Sequence, residues 1–361
     1  MRQILFITPF TPCNKDAGSN YTKQLLEKLS ETNQIDLIFF KYKDDPSYIP
    51  PNNVNVVYCK KNSTIFKLLD ITLFPFLYPL FTVRFNWKIV FKIRALLREK
   101  KYDIIYFDFS QTFLYSKFIK HNHKILMSHD VIYQRYKRKN NIFISWIKCS
   151  EKWLLKGKSN NIFTFSIKDS QILNNIYHIP SKNICFFIPD DAINSIPTKI
   201  QNNITFFAMW KRADNYQGLL WFINNILPHI TCQVTIIGGG LSTEIQKQIK
   251  SYSNINYMGF VNNPYPIISN SKALISPLFN GAGVKVKVIE ALACGTPIIG
   301  TKIAFEGIDY KFQKFMIEAS NPSEFIHAIK SIEYTIEEHI TFKKKFLKEY
   351  CNNTILDYIN N

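Results

Sequence analysis

Glycine is scarce in this chain, with 12 in 361 residues, and acidic residues are outnumbered, with 27 Asp and Glu against 45 Lys and Arg. The seven cysteines (Cys13, Cys59, Cys149, Cys185, Cys232, Cys294 and Cys351) are scattered and odd in number, and no two stand as a CxxC pair. That spacing excludes a disulfide framework and a zinc site, and fits reduced thiols in a cytosolic protein. No DxD triplet occurs either: Asp44-Asp45 and Asp190-Asp191 are adjacent pairs without the one-residue gap. No apolar run reaches the length of a membrane span. The longest, Ile71 to Val83, is broken by Pro75 and Pro79 and is flanked by Lys67, Arg84, Lys88, Lys92 and Arg94. It is either packed into the protein or laid on an anionic bilayer. The opening MRQILFITPF stops its apolar run at Pro9, too early for a signal peptide, and reads as a first buried strand.

What is present suffices for full cores. The composition is 46% hydrophobic and 20% charged, with 30 Phe and 19 Tyr. The net charge of +18 favours anionic partners such as phosphorylated substrates or an acidic membrane face, although the abundance of Lys, Asn and Ile also fits an AT-rich genome. Along the first half, short β-rich runs alternate with amphipathic stretches. Strands are expected at Gln3–Thr8, Ile35–Phe40, Val54–Cys59, Tyr102–Phe107, Lys124–Met127 and Asn161–Phe165, with helices at Tyr21–Glu31 and Trp87–Lys100. A Pro- and polar-rich passage, Ile188–Lys199, reads as a linker. A second series follows, with strands at Ile204–Ala208, Gln233–Ile237, Ile255–Met258, Ala273–Ser276 and Pro297–Gly300. Its helices are expected near Gln217–Leu227, Thr243–Ser251 and Val286–Ala293, and the tail from Ser323 is mostly helical. Strands alternating with helices of this length imply parallel sheets covered on both faces. The class is α/β, with two Rossmann-like doubly wound domains facing a central cleft: residues 1–190, then 191–335, with 336–361 expected to pack back on the first domain.

The most informative segment is SPLFNGAGVKVKVIEALACGTPIIGT, Ser276 to Thr301. It leaves a strand, turns through Gly281-Ala282-Gly283, enters a helix carrying Lys285, Lys287 and Glu290, and exits through Gly295 before Pro297. Glycines at such a turn let the backbone approach a ligand, and a helix N-terminus offers free amides to phosphate. Lys285 or Lys287 can neutralise a diphosphate, and Glu290 stands where a carboxylate accepts from ribose hydroxyls. Gly295 fits a left-handed helix cap.

This segment resembles the donor signature of group 1 (family 4) retaining glycosyltransferases, in the branch written roughly GAGxxxKxxEAxAxGxPVV. FFAMWKRADNYQGLLWFINNILPHI, VTIIGGG and INYMGFVNNPYPIISNSKALISPL extend the resemblance upstream. The first half, with ILFITPFTPCNKDAGSNYTKQLLEKLS and MSHDVIYQRY, is similar more loosely. The resemblance implies a GT-B fold and the following roles. Gly18 faces the donor phosphates or the acceptor, and His129 approaches the transferred sugar. Lys211 or Arg212, with one of Lys285 and Lys287, holds the diphosphate; Glu290 binds the ribose; Asn215, Gly281 and Gly283 complete the donor site. Glu151 sits at the family's helix glutamate and is expected to be a buried partner for a basic residue. The sequence departs from the pattern in three places. Phe279 and Asn280 stand beside the turn where relatives have a second acid, Ala208 replaces a glycine, and Asp190-Asp191 replaces an Asn-Gly.

The implied activity is transfer of a hexose-like sugar from a nucleoside diphosphate to a hydroxyl with retention, needing neither metal nor cofactor, since basic residues and helix dipoles take the leaving-group charge. The implied acceptor is a glycan or lipid-linked saccharide of cell-surface polysaccharide synthesis (O-antigen, capsule or lipopolysaccharide). The implied place is the cytoplasm, in peripheral contact with the anionic inner membrane and without a nucleic-acid partner. Rival readings are a nucleotide-sugar epimerase of the same shape, a basic nucleic-acid-binding protein, and a non-catalytic scaffold.

Overall fold

The computed structural model describes residues 1–61, 73–138, 140–157, 160–281, 283–350 and 354–360, so Lys67, Ile71, Ala282 and Cys351 lie outside the described residues. The chain divides into two compact units, Met1–Ile184 with Thr354–Asn361, and Cys185–Asn353.

The first unit is built on seven parallel strands: β1 (Gln3–Thr8), β2 (Gln34–Lys41), β3 (Val54–Lys61), β4 (Ile104–Asp108), β5 (Lys124–Ser128), β6 (Asn160–Thr164) and β7 (Lys182–Asn183). They run in the order β3-β2-β1-β4-β5-β6-β7. β1 and β4, at the centre, are buried almost throughout, which is why ILFIT and IIYFD read as continuous apolar runs and not as alternation. Helices Ala17–Ser30 and Trp87–Glu99 complete the crossovers, the latter burying Ile89, Val90, Ile93 and Leu96. Leu77, Phe81 and Phe85 join the same core, so the second half of the Ile71–Val83 run is interior.

The second unit repeats the scheme with six parallel strands: β8 (Gln201–Phe207), β9 (Gln233–Ile237), β10 (Ile255–Gly259), β11 (Ser271–Ser276), β12 (Ile298–Gly300) and β13 (Met316–Glu318). Their order is β10-β9-β8-β11-β12-β13. In both sheets, therefore, the first strand of the unit lies beside the fourth, and the strand order reverses there. Open α/β sheets bind ligands outside the carboxyl ends of the strands at such a switch point.

Two sequence expectations about the organisation meet a different structure. Ile188–Lys199 is not a bare linker: it holds a short helix, Asp190–Asn194, whose Ala192 is fully buried in the second unit. The buried Lys343 ammonium donates to the carbonyls of Ala192 and Ser195, at 2.9 and 2.6 Å, and so satisfies that helix's C-terminal end. The tail is also shared differently. Helix Ile336–Tyr350 belongs to the second unit, and only Thr354–Asn361 joins the first, where Tyr358 packs on Phe163 and Asn360 accepts from Asn33 at 3.1 Å. Lys343 and His339 are buried residues of that long helix, an unusual place for basic side chains, and their chemistry alone gives no sign of which unit they join.

Candidate functional site

In the second unit the switch point is flanked by two helix N-termini. Helix Val286–Ala293 has Lys285 in its N-cap position and helix Ala213–Asn225 has Arg212, and neither cap residue's side chain bonds the first-turn amides. A cation at the positive end of a helix is electrostatically disfavoured, and without a side-chain cap the third amide of each helix turns back to the cap residue's own carbonyl, Asn215 N–H to Arg212 at 3.1 Å and Val288 N–H to Lys285 at 2.9 Å. Two such ends side by side form a locus that an anion would relieve.

The side chains sharpen that reading. Lys287 Nζ donates to Asn215 Oδ1 at 3.0 Å, tying the two segments together. Burial, with the charges of Arg212 and Lys285 close by, lowers the Lys287 ammonium to about 7. Lys285 Nζ donates to the Gly283 carbonyl at 2.5 Å, folding back over the turn. Gly281 and Gly283 adopt φ of 126° and 69°, backbone that residues with a Cβ rarely take, so the turn depends on both glycines. Three residues past Lys287, the Glu290 carboxyl is buried and hydrogen-bonded with the Tyr265 hydroxyl. Burial pushes it up to about 8, against the lowering effect of that bond. Gly295 ends the helix at φ 80°, with Gly295 N–H bonded to Leu292 and Thr296 N–H to Ala291. That is the expected left-handed cap. A Cβ at Gly295 would also meet the His339 carbonyl at 2.5 Å, so close packing is a second reason for glycine there.

Lys211 and Arg212 are both exposed, and Lys211 lies against Gly240, where a Cβ would come within 2.6 Å of its Cγ. Of the expected donor residues, then, Arg212, Asn215, Lys285 and Lys287 are brought to one place; Gly281 and Gly283 shape it; and Glu290 lies a turn further along the same helix. Gly18 and His129 belong to the first unit.

That unit's switch point is organised otherwise. Thr8 ends β1 and Asp108 ends β4, and the two are hydrogen-bonded, Thr8 Oγ1 donating to Asp108 Oδ2 at 3.0 Å. The Thr22 hydroxyl is 2.5 Å from the same oxygen. Asp108 Oδ1 is left for His129 Nε2, at 2.8 Å. A carboxylate only accepts, so Nε2 carries the proton in this pair and Nδ1 remains the basic nitrogen. The imidazole is stacked on Phe109 (centroids 3.6 Å apart, planes 6° apart) and edged by Tyr21 and Phe165. Phe109 itself stands at φ 63°, a strained backbone for a bulky residue, of the kind that persists where the surroundings over-determine it.

Gly18 is placed by this arrangement. It lies in the first turn of helix Ala17–Ser30, and a Cβ there would come within 2.7 Å of the Phe109 ring. Its lack of a side chain makes room for the ring that backs His129. The same helix end is already occupied by Asp16, whose carboxylate accepts from the Ser19 amide at 2.9 Å. Glu151 is buried as expected, but its partners are not basic. It accepts from the amides of Ile132 and Tyr133 at 2.8 and 2.9 Å and from the Tyr177 hydroxyl at 2.8 Å, capping helix Ile132–Arg138.

Thr8, Thr22, Asp108, Phe109 and Tyr265 join these sites without being singled out by the sequence. Asp108 alone leaves a signal there, a carboxylate closing the apolar strand IIYFD; the others are ordinary residues until the strand order brings them together. Among the described residues no group of three or more His, Cys, Asp and Glu is arranged to hold a metal ion, and no helix is long and apolar enough to cross a membrane.

Comparison with known proteins shows what this arrangement is similar to. Residues 201–333 match the family model described as "Glycosyl transferases group 1". Over 178 residues the chain is 26% identical to an uncharacterized 44.6 kDa protein in the cps region of Klebsiella pneumoniae; the match covers 42% of this chain and 46% of that protein, about half its length. Sucrose-phosphate synthase from Thermosynechococcus elongatus superimposes with a TM-score of 0.68 at 15% identity, covering 98% of this chain and 95% of that one. WaaG, a glycosyltransferase involved in lipopolysaccharide biosynthesis, superimposes with a TM-score of 0.67 at 11% identity, covering 97% and 95%. Anabaena Alr3699/HepE, solved in complex with UDP, does so with 0.63 at 12%, covering 96% and 95%. The fold is GT-B, two parallel doubly wound units in one chain. The second unit matches a group 1 glycosyltransferase domain over residues 201–333, a little over a third of the chain.

Proposed function

We propose that the chain transfers a sugar from a nucleoside diphosphate sugar to a hydroxyl of a glycan or lipid-linked saccharide, with retention of anomeric configuration, in the synthesis of a cell-surface polysaccharide. The observation that carries the donor reading is the pair of cation-bearing, uncapped helix N-termini around the Gly281–Gly283 turn, with Lys287 held among like charges. A diphosphate placed there removes the repulsion and meets the positive ends of both helices. Arg212, Lys285 and Lys287 hold the phosphates, Asn215 positions Lys287, and Glu290 exchanges the Tyr265 hydroxyl for ribose hydroxyls. The cps-region relative and the lipopolysaccharide enzyme among the structural neighbours support the pathway.

In the reaction the bond from the sugar's anomeric carbon to the β-phosphate oxygen breaks as the acceptor oxygen bonds to the same face. The acceptor proton passes to the departing phosphate oxygen, so no enzymatic nucleophile is needed. Negative charge grows on that phosphate, and preorganised cations and amides stabilise it there more than in the ground state. This charge stabilisation is the chemistry a divalent ion would otherwise supply, and the reading is therefore of a metal-independent transferase. His129, with Asp108 as its positioning residue, addresses the transferred sugar. A role at the cytoplasmic face of the inner membrane completes the proposal.

Thermal stability with UDP, GDP, ADP and CMP tests the donor site. One nucleoside diphosphate raises the midpoint in the intact chain, and Glu290→Ala weakens its binding about tenfold through loss of the hydrogen bonds to ribose. Absence of any shift in a folded sample sinks the reading.

A further inference from the structure

The first unit carries an aromatic surface that the donor site does not use. On helix Trp87–Glu99, Trp87, Phe91, Arg94 and Arg98 fall at helical spacing on one exposed face, aromatic at the N-terminal end and basic at the C-terminal end. Phe91 is 61% exposed and Trp87 40%. The Trp87 ring touches those of Phe91 and Phe118; Phe118 touches Phe74; Phe74 touches the exposed Phe76; and Phe76 meets the exposed Trp153 edge-on at 5.2 Å. Six rings thus form one connected band. A soluble surface seldom leaves so many large rings together in water without a purpose.

Cations line the same band. Lys117 Nζ lies 4.8 Å over the Trp153 ring and is fixed by the carbonyls of Trp153 and Lys156, at 2.8 and 2.7 Å. Burial and the nearby Lys124 lower its ammonium to about 8, so a neighbouring anion would be welcome. Lys117 and Phe118 also line a cavity of about 560 Å3 with Arg94, Arg98 and Lys120; its lining holds four cations and no carboxylate. Arg94 is oriented there by donating to the Phe118 carbonyl at 3.0 and 2.8 Å.

We propose that this face lies on an anionic phospholipid bilayer, the Trp87–Phe91 and Phe76–Trp153 rings entering the headgroup layer and the Arg94–Arg98–Lys117–Lys120 cavity receiving a lipid phosphate. Charge complementarity selects the occupant, since a ring of cations beside apolar aromatics matches an acidic interface. The rings pack largely edge to face against one another, so they do not offer parallel faces at the interval that base stacking requires. The inference deepens the membrane part of the proposed function and is independent of the donor site.

Co-sedimentation of the full chain with vesicles tests it, using phosphatidylcholine alone and phosphatidylcholine mixed with phosphatidylglycerol. The intact chain pellets with the mixed vesicles, much less with the neutral ones, and releases as salt is raised. Arg94→Gln/Arg98→Gln weakens binding about 30-fold, at roughly 1 kcal/mol per basic residue. Trp87→Ser/Phe91→Ser weakens it on the order of tenfold from lost apolar burial. Glu290→Ala keeps vesicle binding unchanged, which separates failure here from failure of the donor reading. All four positions are exposed, and circular dichroism verifies that the variants fold. The proposal is overturned if anionic vesicles do not retain the intact chain, if both double variants bind as tightly as it does, or if the face binds a single-stranded oligonucleotide instead of vesicles.

Discussion

The two switch points have the same strand order and opposite electrostatics. In the first unit, protein carboxylates satisfy the helix ends: Asp16 caps helix Ala17–Ser30, Glu151 caps helix Ile132–Arg138, and Asp108 gathers Thr8, Thr22 and His129. In the second, Arg212 and Lys285 occupy the cap positions and neither side chain bonds the first-turn amides. The first site is internally complete and preorganised, its imidazole locked by a carboxylate below and a strained Phe109 alongside. The second is destabilised as it stands, with like charges held together in a partly desolvated place. Geometry without an electrostatic deficit suits a group that must be aimed; an electrostatic deficit suits a group that must capture an anion. On the proposed reading, one fold separates orientation from binding by its choice of cap residues.

Three experiments test that division. The largest effect is expected at His129. His129→Ala lowers the transfer rate on the order of 100- to 1,000-fold, the usual scale for removing a polar group that acts in the transition state, and leaves nucleotide affinity unchanged. Assays of transfer and of nucleotide binding on the same variant check it; a matching loss of nucleotide affinity would break the division.

Next is the pH dependence of nucleotide affinity. Lys287 is held at about 7 in the free protein, and a bound diphosphate favours its charged form, so binding takes up a proton above that pH. Affinity therefore weakens as pH rises from about 7, by up to about tenfold per pH unit. Ionisation of Glu290, at about 8, acts on ribose contacts and has its own dependence. The informative quantity is thus the ratio of affinities of the intact chain and Lys287→Met, measured by titration calorimetry. That ratio is largest below pH 7 and shrinks above it. A ratio independent of pH would remove Lys287 from the phosphate site.

The smallest effect is the most diagnostic. Lys285→Asp places a carboxylate at the N-cap of helix Val286–Ala293, where aspartate is a preferred residue. It should stabilise the free protein by about 1 kcal/mol while abolishing stabilisation by nucleotides. Denaturant unfolding with and without nucleotide measures both. A variant that is less stable without nucleotide would mean that the cap position is not under the strain inferred for it.

Much of this is legible in the sequence because it depends on neighbours along the chain. Buried parallel strands announce themselves as apolar runs, and β1, β9 and helix Val286–Ala293 stand where the pattern places them. The Gly281–Gly283 turn, the Lys285–Lys287–Glu290 series and the Gly295 cap are likewise local, set by spacing within one βαβ unit, which is why the turn, helix and cap of this segment are readable from its residue order alone. Residues close in space and distant in sequence are not. The chain says nothing of Asp108 meeting Thr8 from 100 positions away, of Tyr265 meeting Glu290, or of Phe109 needing the bare Cα of Gly18. Nor does it say that Lys343 would be spent on the carbonyls of Ala192 and Ser195, turning an apparent linker into part of the second unit. Periodicity determined the elements and their class, because hydrophobic pattern and backbone preference act over a few residues. Only the tertiary structure decided which carboxylate would lock His129 and which two cation-bearing helix ends would stand together, because those pairings are set by strand order, and strand order is decided by the packing of the whole sheet.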